Sequence, residues 1–128
     1  MSKKRLIWRA RPVAADFNAA GKYLSLLNDT SRTRKLIAAL RRESIARHAA
    51  KDLLRASGLP LLPCDEAQVE ADLKRIRKGK SLSPVLLVAG DMSRPSALIV
   101  ADGYHRICAV YYYDENAPIA CCVATAVA

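Results

Sequence analysis

The sequence predicts an α+β protein, a small mixed sheet with helices preceded by an N-terminal helical segment. Two observations predict it. From residue 14 to residue 57 apolar residues recur at helical spacing. Two apolar runs, at 85–88 and 97–101, have the length and branching of buried strands. The basic charge also lies in the helical half: residues 1–62 hold 14 Lys/Arg against 4 Asp/Glu, and residues 63–128 hold 7 against 8.

The elements follow in order. Phe17, Ala20, Leu24 and Leu27 form one stripe, broken by Asn28-Asp29. Thr30 or Ser31 is expected to cap a second helix carrying Leu36, Ile37 and Leu40. A third helix is expected from Ser44, with Ile45, Ala49, Leu53 and Leu54 inward, unless the second simply continues. Gly58 and Pro60 close it. The Leu59–Pro63 stretch reads as extended. Asp65 is the expected N-cap of the next helix, with Gln68 three residues on, and Val69, Leu73 and Ile76 point inward. Gly79 suits a left-handed C-cap. A strand led by Pro84, a polar turn over 90–96 and a second strand deliver the chain to Asp102. A helix follows, with Ile107, Val110 and Tyr111 on one side, and then a strand over 119–123. The expected division is 1–58 and 59–128, packed as one compact unit.

Composition narrows the function. Apolar residues make up 52% of the 128, enough to build a core. No apolar run approaches the ~18 residues of a membrane span, and Arg9 and Arg11 interrupt the only leader-like stretch. A cytoplasmic protein is expected. Cys64, Cys108, Cys121 and Cys122 show no Cys-x-x-Cys spacing, and His48 and His105 are the only histidines, so no metal site is expected. Reduced, mostly buried thiols are expected, with Cys121 and Cys122 on opposite faces of a strand. A net charge of +9 suits an anionic partner, a nucleotide or DNA.

The stretch Asp102-Gly103-Tyr104-His105-Arg106 carries the chemistry. The first N–H groups of a helix have no intrahelical partner and lie at the positive end of its dipole, so an anion is favoured there. Gly103 removes a side chain from the path of a phosphate, and His105 and Arg106 add donors. The plainer alternative makes Asp102 an N-cap, Gly103 a turn residue and Arg106 half of a surface ion pair.

With these residues in place, residues 59–123 resemble the ParB/sulfiredoxin superfamily. The order matches: extended segment, helix, Pro-led strand, strand, glycine motif, helix, strand. The motif is most similar to the Asp-Gly-His-His-Arg of free-serine kinases and related small ParB-like proteins of bacterial type. The resemblance implies a loop that binds phosphates of ATP or ADP, or of CTP as in partition-type members, with magnesium as a companion ion. Tyr104 stands where sulfiredoxins have their cysteine nucleophile, so sulfinic-acid reduction is not implied. Gly103, Arg106 and Ala109 fit the partition-type pattern, but Cys108 replaces its later arginine. The helix-turn-helix domain of that type is not expected after Ala128. The serine kinases place a catalytic acid after the Leu-Pro strand, which here offers Asp65 and Glu66.

Other residues offer weaker candidates. Lys51 and Arg55 are candidates for a second phosphate contact, against a surface pair from Asp52 to Arg55. His48 reads as an exposed helical histidine, and Tyr111-Tyr112-Tyr113 as a mixture of core and surface. Residues 31–57 carry enough arginine for a helix-turn-helix, without a glycine turn. Two functions are therefore expected. One is nucleotide binding with ATP-dependent phosphotransfer or hydrolysis. The alternative is a non-catalytic nucleotide- or DNA-responsive regulatory module of ParB-like type.

Overall fold

The computed structural model describes residues 5–90 and 97–125. Nine elements follow one another: α1 (Ala14–Leu24), α2 (Thr30–Arg42), β1 (Ala46–Ala49), α3 (Ala50–Ser57), α4 (Ala67–Arg77), β2 (Val85–Ala89), β3 (Ile99–Asp102), α5 (Tyr104–Tyr113) and β4 (Pro118–Thr125). The polar turn expected over 90–96 lies almost wholly outside the described residues.

The four strands form one mixed sheet in the order β1-β4-β2-β3. Only β2 and β4 run parallel, with Val85 opposite Cys121. The edge strands β1 and β3 are antiparallel to their neighbours. Successive side chains of a strand point to opposite faces, and this sheet is buried on both. Val85, Leu87, Ile119 and Cys121 meet α3, α4 and α5 in one core. Leu86, Val88, Cys122 and Ala124 meet Phe17, Leu24, Leu36 and Leu40 in the other. The α1–α2 pair thus covers one face and the other three helices cover the second. The neighbouring cysteines enter different cores, as the alternation requires.

Several local expectations change. Residues 46–49 form an edge strand on β4 where a helix was expected, so His48 is an exposed strand residue. Nothing in Ala-Arg-His-Ala favours a strand; its pairing with β4 supplies the preference. That strand also separates α2 from α3 and removes the helix-turn-helix reading. Asp29 caps α2, its carboxylate accepting from the Arg32 N–H at 2.7 Å, in place of Thr30 or Ser31. Glu66 caps α4 through the Val69 N–H at 3.1 Å, in place of Asp65. Leu27 is 53% exposed, because α1 ends at Leu24 and the stripe ends with it. Arg11 closes α2 from outside, donating to the carbonyls of Arg41 at 2.7 Å and Glu43 at 2.6 Å, where a cation offsets the helix dipole.

The two strands expected at 84–88 and 97–101 are adjacent as β2 and β3, and the helix after Gly103 is α5. The α4 stripe of Val69, Leu73 and Ile76 is buried, and Gly58 and Gly79 adopt positive φ at the ends of α3 and α4.

Candidate functional site

The Asp102–Arg106 motif sits where the edge strand β3 turns into α5. Asp102 is the last residue of β3, and Gly103, at φ 112°, is the N-cap of α5. Asp102 is therefore not the cap. Gly103 offers no side chain to the first turn, and the first intrahelical bond runs from the Ile107 N–H to the Gly103 carbonyl. The N–H groups of Tyr104, His105 and Arg106 precede that bond and have no intrahelical acceptor.

The need for glycine has a packing cause. A Cβ at position 103 would lie 2.4 Å from Val85 Cγ1 and 2.8 Å from Val85 Cβ. The positive φ adds a second constraint. Val85, rather than an approaching anion, occupies the space that a side chain would fill.

Arg106 differs most from expectation. Its side chain is 13% exposed. One guanidinium nitrogen donates to the Ser83 carbonyl at 2.6 Å, and the other meets Asp102 Oδ2 at 2.5 Å. Asp16, from α1, lies 3.6 Å away and also accepts from the Ser83 hydroxyl. The arginine is thus held between two carboxylates and a carbonyl. It reads as a strut for the motif, not as a donor waiting at the surface.

Two carboxylates sharing one guanidinium leave an excess of negative charge. Burial pushes the Asp102 carboxyl up to about 6; Arg106 opposes the rise and Asp16 adds to it. Burial also raises the Asp72 carboxyl on α4 above its ordinary range, against the pull of Arg106, Arg75 and His105. Asp16, Ser83 and Asp72 carried no signal in the sequence. Each is a common residue on its own segment, and only the packing of α1, α4 and α5 around the end of β3 gathers them.

His105 and Tyr104 are the more accessible side chains of the motif. The His105 side chain is 38% exposed, and its Nε2 lies 3.6 Å from Glu66 Oε2. The hydrogen bond from the Val69 N–H holds the Glu66 carboxyl below its usual range. Of the two acids proposed from the sequence, Glu66 therefore reaches the motif, while Asp65 is exposed in the preceding turn. Tyr104 has an anchoring role: its hydroxyl donates to the Pro60 carbonyl. Tyr112, two turns later, donates to the Leu62 carbonyl at 2.7 Å. Together they fasten the Leu59–Pro63 stretch along α5.

The second-phosphate candidates stand apart. Arg55 pairs with Asp52 on its own helix at 3.3 Å, both side chains largely in solvent. Lys51 is exposed near the start of α3, whose backbone N–H bonds the Glu115 carbonyl beyond the far end of α5.

Among the described residues, no group of three or more His, Cys, Asp or Glu side chains is arranged to hold a metal ion. No helix among the described residues is long and apolar enough to cross a membrane. No protein-family model, curated protein or solved structure matches this chain.

Proposed function

We propose that the first turn of α5 binds a phosphate group of a nucleotide, in a ParB/sulfiredoxin-like fold. One observation carries this reading: α5 opens on Gly103 with no side chain to cap it, and the partly exposed His105 stands in that first turn. Backbone N–H groups at the helix start, together with an imidazole, form a donor set for phosphate oxygens. The order of residues 59–123 and the Asp-Gly-Tyr-His-Arg motif support the same reading through the resemblance. ATP, ADP and CTP are the candidates. Magnesium would arrive on the nucleotide's phosphates, since that ion typically keeps waters and takes only one or two protein carboxylates.

The enzyme alternative gains support from Glu66. Its carboxylate is beside His105, where it can accept a proton from a water or hydroxyl attacking the terminal phosphorus, although the Val69 N–H bond that lowers its pKa also weakens it as a base. The reaction would be phosphotransfer or hydrolysis, with the nucleoside diphosphate leaving. The DNA-responsive alternative rests on α2, which carries Arg32, Arg34, Lys35, Arg41 and Arg42 with no acid. That basic face does not extend through Arg106, which is enclosed by Asp16 and Asp102.

Calorimetric titration with ATP, ADP, CTP and GTP, with and without magnesium, tests the proposal. His105→Ala should weaken binding roughly 2- to 12-fold, the equivalent of one hydrogen bond of about 0.5–1.5 kcal/mol. Glu66→Gln should retain binding and abolish release of diphosphate. Absence of binding by all four nucleotides would remove the reading.

A further inference from the structure

A cavity of about 680 Å³ opens at the C-terminal end of α5. It lies between the N-terminal segment, the turn after Tyr113 and the edge strand β1. Its volume is in the range of about 300–1,000 Å³ typical of small-molecule sites. A helix of ten residues is roughly 15 Å long, so the cavity is separate from the first turn of α5.

Its walls combine two kinds of chemistry. Trp8 and Tyr113 supply aromatic surface, while Arg5, Arg47 and Asn116 supply polar groups. Both arginines are exposed, and neither forms an ion pair among the described residues. Asp114 also lines the cavity, but its carboxylate accepts the Asn116 N–H at 3.0 Å and so serves the turn. Two guanidinium charges outweigh that carboxylate and the roughly half charge of a helix C-terminus. The indole N–H of Trp8 is buried without an acceptor among the described residues. An aromatic wall and an excess of positive charge occur together.

We propose that this cavity binds a small ligand that joins an aromatic ring to an anionic group. The ring lies against Trp8 and Tyr113. The anion is held by Arg47 and Arg5, whose planar guanidinium groups match carboxylate and phosphate oxygens. A nucleoside monophosphate and an aromatic carboxylate share this chemistry.

Trp8 is the single tryptophan, so its fluorescence reports on the cavity directly. The full chain is titrated with AMP, benzoate, adenosine and inorganic phosphate while Trp8 emission is recorded. AMP, benzoate or both should change the emission saturably, and adenosine and phosphate should not. A response to AMP alone assigns a nucleotide, and a response to both assigns ring-bearing anions in general. Arg47→Ala should weaken the response roughly 10- to 150-fold, as expected for one charge-assisted hydrogen bond. A melt of that variant checks that its fold is kept. An equal response to phosphate overturns the ring requirement, and an equal response to adenosine overturns the anion requirement. No saturable response overturns the proposal. The response must survive His105→Ala; its loss there would mean that Trp8 senses the first turn of α5 and that no second site exists.

Discussion

Arg106 on α5 lies 3.6 Å from Asp16 on α1, although these helices cover opposite faces of the sheet. The guanidinium passes the end of β3, where it also meets Asp102 at 2.5 Å. One side chain thereby joins both helical layers and the sheet edge. Ser83 completes the junction, its carbonyl accepting from Arg106 and its hydroxyl donating to Asp16. The residue with the most evident binding chemistry in the sequence is therefore a structural tie in the fold.

Arg106→Ala should destabilise the protein strongly. It would leave two mostly buried carboxylates facing each other without their cation. Breaking a buried pair in this way costs about 3–5 kcal/mol. For a chain of this size that corresponds to a fall in Tm of roughly 10–20 °C. Thermal melts followed by circular dichroism measure it. A variant that melts with the wild type would return Arg106 to the role of an exposed ligand.

Gly103→Ala should also destabilise, without any ligand present. The new methyl group would overlap Val85, and φ 112° is unfavourable for alanine. A cost of about 2–4 kcal/mol is expected from strain and overpacking together. Combining it with Val85→Ala should recover part of that loss, because the nearest overlap is with Val85 Cγ1. Chemical denaturation of the two single variants and the double variant gives the coupling. Simple additivity would show that Val85 is not what excludes a side chain at 103.

The sequence made some of this legible and hid the rest for identifiable reasons. β2 was readable because a central strand buried on both faces is apolar throughout, and β3 because Ile99-Val100-Ala101 continues an apolar, branched run up to Asp102. The stripe of α4 was readable because Val69, Leu73 and Ile76 repeat with the helix period. β1 was not readable, since Ala46–Ala49 has two exposed polar side chains and owes its form to β4. At the motif, the sequence identified the residue types but not their partners. Arg106 was visible as a cation; that Asp16, ninety positions earlier, would share it depends on the packing of α1. Glu66 was visible as an acid, and its advantage over Asp65 is a one-residue difference in where α4 begins.

One thiol in four should react quickly. Cys64 is exposed, while Cys108, Cys121 and Cys122 are buried. Burial pushes all three buried thiols up, Cys121 to about 11, so little reactive thiolate forms near neutral pH. Titration with a chromogenic disulfide should show a fast phase of one equivalent, lost in Cys64→Ser, and three equivalents released only by denaturant. A second fast equivalent assigned to Cys108 would bring redox chemistry back to the motif helix.

The last prediction concerns pH. The Asp102 carboxyl is raised from an ordinary 3.8 to about 6, chiefly by burial. A carboxyl with a raised folded pKa holds its proton longer in the folded state than in the unfolded chain. Folding therefore takes up a proton between the two values, and stability falls as pH rises through that window. Well below pH 3.8 both states are protonated and there is no penalty; well above about pH 6 the penalty is complete. A difference of about two units corresponds to something on the order of 3 kcal/mol. Asp102→Asn cannot ionise and should lack this slope. The groups facing Asp102 remain in the variant: Asp16 from α1 and Arg106 from α5, with Asp72 of α4 acting on that same arginine. The difference between wild type and variant then isolates Asp102. Melts of both proteins at pH 4, 5, 6 and 7 should show the wild type losing ground to the variant across the series. A constant difference would mean that Asp102 titrates alike in the folded and the unfolded chain. A difference that grows in favour of the wild type would mean that the ion pair outweighs burial, reversing the sign of the balance at this junction.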